Sequence, residues 1–449
     1  MPDPYIASHR FGLSDTSTLA FASDPQGWVL GQVRQPARFD DTGLMPGHTA
    51  WTLTREALRA ANTASTANSA GATGGNAANP QPPVRAEIRQ ANLRALTARW
   101  NHAITTRTPV AERWAWFWAN HFCVSGTRGP VAALVWPFER EAIRPHAWGR
   151  FTDLARAATL HPAMLVYLDN AQSIGPQSVA GQRRERGLNE NLARELLELH
   201  TLGVNAGYTQ ADVTETARVL TGWTLPPQGD GRAEFLPRLH QPGTKQVLGL
   251  TCPEGPEGID RLLAHLARQP ATARHLATKL VRHFVTDQPP APLVAAVAKR
   301  FLDTDGDLTQ TALALFGHPL AWDRRHPAKF KTPEELVISA HRVLKLPIDN
   351  PGPHLNALSD MGQPPGRAPS PQGWPDLASD WLSPHGLMQR VKWAERFARQ
   401  NAGMGDARAL AEQGWGSGLS GATRAEIERA ESGTQAMALW LASPEFQRR

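Results

Sequence analysis

"PVAERWAWFWANHFCV", residues 109–124, decides the fold. At about 100° per residue, Trp114, Trp118 and His121 share one helix face, Trp116 and Cys123 the opposite one, and Phe117 and Val124 lie between. A helix with aromatic side chains all round is buried on nearly every side. It nevertheless carries Glu112, Arg113, Asn120 and His121, and buried polar groups need hydrogen-bond or charge partners. The rest of the chain must therefore wrap this helix and bring polar side chains to meet it.

Most of that chain reads as helix, with periodic apolar residues, Thr, Asp or Pro at the starts and Gly or Pro at the ends. The pattern predicts helices over 85–104, 189–202, 209–223, 272–285, 291–304, 332–346, 387–401 and 434–443. Alternating strand patterns are rare, so the expected fold class is all-α. The exception is one β-hairpin-like excursion near 233–250, where Gln241-Pro242-Gly243 supplies a turn. Residues 59–83, rich in Ala, Asn, Thr and Gly without apolar periodicity, are expected to be a disordered low-complexity insertion, with shorter loops over 171–187 and 350–376. The insertions interrupt helices whose apolar faces have no other obvious partner, which favours a single helical domain over 1–449.

With 449 residues, 41% hydrophobic and 20% charged, the composition is that of an ordinary globular protein. The net charge of +6 comes from arginine, and no basic block or tail is present, which argues against a nucleic-acid partner. Cys123 and Cys252 are the only cysteines, so a disulfide framework and a Cys-rich zinc site are excluded. The first residues lack a signal-peptide pattern and no apolar run reaches the length of a membrane span. As written, the chain reads as cytoplasmic.

The second informative stretch is "NENLARELLELHTLG", 189–203. Leu192, Leu196 and Leu199 line one helix face, while Glu190, Arg194 and Glu198 line another at i, i+4, i+8, with Asn191 and Glu195 flanking. A solvated charge ladder explains this helix by itself. The buried polar groups of 109–124, however, need suppliers, and the best are this carboxylate face and the turn bearing His240 and Lys245. Elsewhere the blander readings prevail. "DTDGDL", 303–308, lacks the spacing of an EF-hand and reads as a turn capping the next helix. His161 reads as a structural cap, and His275, Lys279, Arg282 and His283 as a solvated basic face. No G-x-S-x-G, H-E-x-x-H, P-loop or G-x-G-x-x-G signature is present.

The segments "WAWFWANHF", "HPAMLVYLDNAQS", "NENLARELLELHTLGVNAGYTQADVTETARVLTGW", "LHQPGTKQVLG", "FKTPEELVISAHRVL", "GWPD" and "SPEFQRR" resemble, in order, the bacterial family catalogued as domain of unknown function 1800. The resemblance implies a predominantly α-helical protein, often encoded beside a sulfatase-like family catalogued as domain of unknown function 1501. Gln241 stands where many relatives carry Asp, and the export signals of many relatives are missing here.

Two functions follow as expectations. One is an enzyme whose buried Glu/His/Arg pocket performs acid/base or metal-assisted hydrolysis of a polar polymer. Glu195, Glu198 and His121 are its candidate catalytic residues, and Arg113, Asn120, Glu190, Asn191, Arg194, His240 and Lys245 its candidate binding residues. His121 and His240 serve as proton relays or metal ligands, with the metal left open. The alternative is a non-catalytic binding or assembly protein working with its sulfatase-like neighbour.

Overall fold

The computed structural model describes residues 2–15, 18–69, 83–183, 187–204 and 206–449. Among them helices dominate, and the strands form two two-stranded antiparallel sheets. The aromatic helix runs from Pro109 to His121 with Pro at its first position, and all of it is buried except Trp116, Ala119 and Asn120. Trp114 Nε1 donates to the Ala147 carbonyl at 2.8 Å and Trp116 Nε1 to Glu112 Oε1 at 2.6 Å, so the buried Trp114 indole and the partly buried Trp116 indole both have partners for their polar atoms. The helix stops three residues earlier than its pattern suggests. Phe122 N–H closes onto Trp118 O, and the chain then leaves so that Gly126 N can bond Gly366 O at 2.8 Å.

Two apolar clusters hold the molecule together. One surrounds Trp114, Phe117, Trp118 and Phe122 with Leu192, Leu196, Leu280, Phe284 and Phe316. The other gathers Trp100, Leu336, Ile338, Trp393, Phe397, Trp415, Trp440 and Phe446. Tyr5 and Trp136 pack against both. The last residues of the chain are tied in by backbone pairing, with Lys329 and Arg449 exchanging two hydrogen bonds of 2.9 Å and Lys331 N donating to Gln447 O.

Several elements differ from their sequence reading. Residues 59–69, expected to belong to a disordered insertion, continue the helix Gly47–Ser69, consistent with their alanine content; residues 70–82 of that insertion lie outside the described residues. The stretch 189–202 is helical only over Asn191–Glu195, then widens into a π-helix over Leu196–His200, where Thr201 Oγ1 bonds Leu196 O at 2.6 Å. In the β excursion, Gln241-Pro242-Gly243 is not the hairpin turn. Lys245–Val247 pairs with Leu250–Cys252 around Leu248 and Gly249, both at positive φ, while Glu234–Phe235 turns back onto Trp223–Thr224. The expected caps are present: Asp307 Oδ1 accepts Gln310 N–H at 2.8 Å and His161 Nδ1 accepts Ala163 N–H at 3.1 Å. No described helix is long and apolar enough to cross a membrane.

Asp212 anchors both the helix Gln210–Leu220 and the hairpin. It forms a reciprocal capping box with Thr209, and its Oδ1 accepts the N–H of Leu248 at 2.7 Å, a residue held at φ 49°. A non-glycine residue in that region costs on the order of 1 kcal/mol, and the carboxylate offsets it. Asp212→Ala is expected to lower unfolding free energy by about 1–2 kcal/mol in urea titrations. A loss below about 0.3 kcal/mol would mean that the hairpin is held by packing alone.

Candidate functional site

The helix Pro333–Val343 begins with a capping box between Thr332 and Glu335, and Glu335 does more than cap. Its carboxylate pairs with Arg113 of the aromatic helix at 3.2 Å and with Arg449, the last residue, at 3.0 Å. Burial alone would raise the Glu335 pKa, but Arg449 and Arg113 hold it down to about 2. Arg113, 0% exposed, also donates to the carbonyls of Arg10 and Gly12, and Arg449 Nη1 donates to His283 O at 2.8 Å. One carboxylate thus joins the N-terminal segment, the aromatic helix, the chain end and the close of the helix Pro270–Phe284. A second network lies beside it. Arg99 bridges Glu139 at 2.8 Å and Glu334 at 2.6 Å, stacks over Trp116 at 4.2 Å, and is followed by Arg144, which bridges Glu139 and Glu112.

Between these networks lies a cleft of about 120 Å³. Trp116, Trp136 and Trp374 give it aromatic walls, and Asn120, His283 and Asp376 supply polar groups. Asn120 pins the loop that closes it: Nδ2 donates to Trp374 O at 2.9 Å and Oδ1 accepts Trp374 N–H at 2.7 Å. Gly373 makes this approach possible, since at φ 85° a Cβ there would meet the Asn120 carbonyl at 2.5 Å.

The pinned loop delivers Asp376 to His283, with Oδ1 at 2.6 Å from Nδ1. Asp376 stays ionised: burial opposes this, but His283 and Lys329 hold its pKa well below the usual carboxylate range. Lys329 Nζ in turn donates to Asp287 and to the Asp376 carbonyl. Burial pushes the His283 pKa below its ordinary value despite Asp376, so at neutral pH the ring is neutral. Its one proton sits on Nδ1, donated to the carboxylate. Nε2 is left with a free lone pair and makes no hydrogen bond to any described residue. An aspartate-oriented imidazole of this kind can accept a proton at Nε2 and return it.

The residues singled out from the sequence fall in three places. Arg113 and Asn120 line this cleft. His121 does not; it is buried behind it, with Nε2 at 3.1 Å from His200 O. Glu190, Arg194 and Glu198 form the half-exposed i,i+4 ladder, at 3.5 and 3.6 Å, with Asn191 exposed beside it. Such pairs are worth roughly 0.3–0.5 kcal/mol. Glu195, on the same surface, has its pKa raised by partial burial and by Glu198. His240 and Lys245 find each other at 2.8 Å under the β excursion, where His240 Nδ1 also donates to Thr221 O. Among the described residues no hydrogen bond or ion pair joins this pair to the aromatic helix. His283, Asp376, Lys329, Glu335 and Arg449 were missed. The basic face 275–283 is not solvated: His283 is largely buried against the loop and the aromatic helix, and Lys279 is partly withdrawn from solvent. Among the described residues, no group of three or more His, Cys, Asp or Glu is placed to hold a metal ion.

This arrangement sits within a chain matched over residues 7–448 by the family described as "Protein of unknown function (DUF1800)". The chain belongs to that family. No curated protein and no solved structure matches it.

Removing the carboxylate of Glu335 leaves two buried guanidinium groups without their common partner, so Glu335→Gln should destabilise by about 3–5 kcal/mol at pH 7. Because the folded pKa is depressed, the stabilisation is full above the unfolded value near 4.5 and fades as pH falls toward about 2. Chemical denaturation at pH 7 and pH 3 should show the variant's deficit shrinking at the lower pH. A deficit under 1 kcal/mol at pH 7 would mean that the triad is not a structural keystone.

Proposed function

We propose that the protein is an acid/base enzyme that hydrolyses a polar polymer at the cleft, with His283 as general base and Asp376 as its orienting carboxylate. The observation that carries this reading is the 2.6 Å Nδ1 to Oδ1 hydrogen bond that leaves Nε2 of a cleft-lining imidazole without a partner among the described residues. Water is the nucleophile that fits. Cys123 lines the cleft, but burial pushes its thiol up to about 12, so it is not a thiolate at neutral pH. At about 120 Å³ the cleft takes one group of a larger molecule and not a whole ligand, which suits a polymer end or side group. Its tryptophan walls suit the apolar face of a polyhydroxylated ring. Glu195 and Glu198, on the surface ladder, are not part of this reading, and Arg113 and Asn120 serve as positioning residues.

A second reading, an assembly protein acting with a sulfatase-like partner, is favoured by one observation. Leu387, Met388 and Val391 are exposed together on the helix Pro384–Gln400, the kind of apolar surface that partners cover.

The test compares wild type with His283→Asn on a panel of polysaccharides and other polar polymers. Turnover is expected to fall by about 10²–10⁴-fold while the melting temperature stays within a few degrees. Equal turnover by both proteins would remove His283 from the chemistry. No turnover of any polymer by folded wild type, together with co-elution with the sulfatase-like neighbour that Met388→Asp abolishes, would favour assembly.

A further inference from the structure

Among the described residues, nearly every cation withdrawn from solvent is answered. Glu335 meets Arg113 and Arg449, Glu139 and Glu334 meet Arg99, and Asp287 meets Lys329. Arg10 and Arg342 reach backbone carbonyls, and Arg390 meets Gln447 and the Lys331 carbonyl. Lys279 and Arg282 break the pattern. Both are partly buried on the helix Pro270–Phe284, one turn apart, and neither has a hydrogen bond or ion pair to a described residue. The Nε of Arg282 is fully buried and unpaired.

The imidazoles nearby are not bonded to them either. His275 Nε2 bonds Leu199 O, whereas Nδ1 of His121 and both ring nitrogens of His200 are buried without partners. These three imidazoles lie close together, with the His121 ring centroid 6.0 Å from that of His200 and 6.4 Å from that of His275. All three are held below the ordinary histidine pKa, first by burial and then by the positive charge of Lys279. They therefore stay neutral and add no further positive charge. Burial pushes the Lys279 ammonium down to about 8, with Asp376 pulling the other way, so it is still charged at neutral pH. An ammonium and a guanidinium held together with no counter-ion bonded to either repel each other, and removing either would relieve that repulsion. Proteins keep such repulsion where a ligand supplies the missing charge.

The ligand's side of the site is also defined. Asp376 of the His283 dyad is the anion whose charge acts most on Lys279, and it lines the cleft. We propose that Lys279 and Arg282 form an oxyanion subsite adjoining the cleft, which recognises a carboxylate, sulfate or phosphate group on the substrate. This deepens the hydrolase reading and rests on it for the identity of the bound molecule as substrate, while the anion binding itself stands on the unpaired cations. An anionic group held there lies next to the reacting position, so the preferred polymer is acidic and not neutral.

The experiment measures binding of sodium sulfate, phosphate, acetate and glucuronate by calorimetry and by thermal shift, against sodium chloride at matched ionic strength. Wild type, Lys279→Met, Arg282→Met, His283→Asn and Arg274→Met are compared. Arg274 is an exposed cation on the same helix and serves as the surface control. Wild type, His283→Asn and Arg274→Met should bind one of the oxyanions saturably. Lys279→Met and Arg282→Met should bind it at least about tenfold more weakly. Sulfate and phosphate binding without acetate or glucuronate binding assigns an ester oxyanion; the reverse assigns a carboxylate. Without added anion, Lys279→Met should melt at a higher temperature than wild type, since it removes an unanswered charge, and this readout also shows that the variant folds. Absence of saturable binding by all four anions overturns the subsite, as does equal affinity in wild type and both methionine variants. Binding retained by His283→Asn while its turnover is unchanged from wild type overturns the dyad reading and leaves the subsite standing.

Discussion

A single buried carboxylate carries much of this architecture. Glu335 caps its own helix, neutralises Arg113 from the aromatic helix and Arg449 from the chain end, and through them reaches the carbonyls of Arg10, Gly12 and His283. Buried ion triads are not a cheap source of stability, because desolvation costs as much as the Coulomb attraction returns. Their value here lies in specification. Three charges that are tolerable only together require that residues near 10, 113, 283, 335 and 449 assemble in one arrangement.

That requirement positions the cleft. Arg449 holds the end of the helix Pro270–Phe284, so His283 is fixed from behind by its own carbonyl and from the side by Asp376. Asp376 comes from a loop with little regular structure, and the loop is held by Asn120, by the close approach at Gly373 and by Lys329 on its backbone. A rigid aromatic helix with Asn120 near its end thus converts an irregular segment into a precise wall. Preorganisation of this kind is what an acid/base site needs, because the imidazole must not spend binding energy on finding its orientation.

Much of this was legible in the sequence, for reasons that can be stated. Helix 109–121 announces its burial by aromatic periodicity, and its polar residues announce that partners exist. The Thr332-x-x-Glu335 spacing is a readable capping box. What could not be read was which partner each polar residue takes. His283 and Asp376 are 93 residues apart and Arg113 and Arg449 farther still, and no local pattern encodes such pairings. The basic run 275–283 looked solvated because its apolar face, Leu276, Leu280 and Phe284, satisfies one side of a helix; the second burial comes from the distant loop. The ladder Glu190–Arg194–Glu198 attracted a functional reading through its charge density, and its half-exposed geometry matches the simpler one. The π-helix at Leu196–His200 was invisible to a 3.6-residue pattern, since one inserted residue shifts every face after it.

The proposed chemistry of the cleft turns on the protonation of one ring. Long-range proton–nitrogen NMR of protein labelled with 15N-histidine, with His283→Asn used to assign the signal, reports which nitrogen carries the hydrogen. The structure predicts that at pH 7 His283 is neutral, protonated at Nδ1 and bare at Nε2, and that it takes up its second proton at a lower pH than an ordinary histidine, because burial lowers its pKa. A hydrogen on Nε2 at pH 7, in either the other neutral form or the imidazolium, would contradict it.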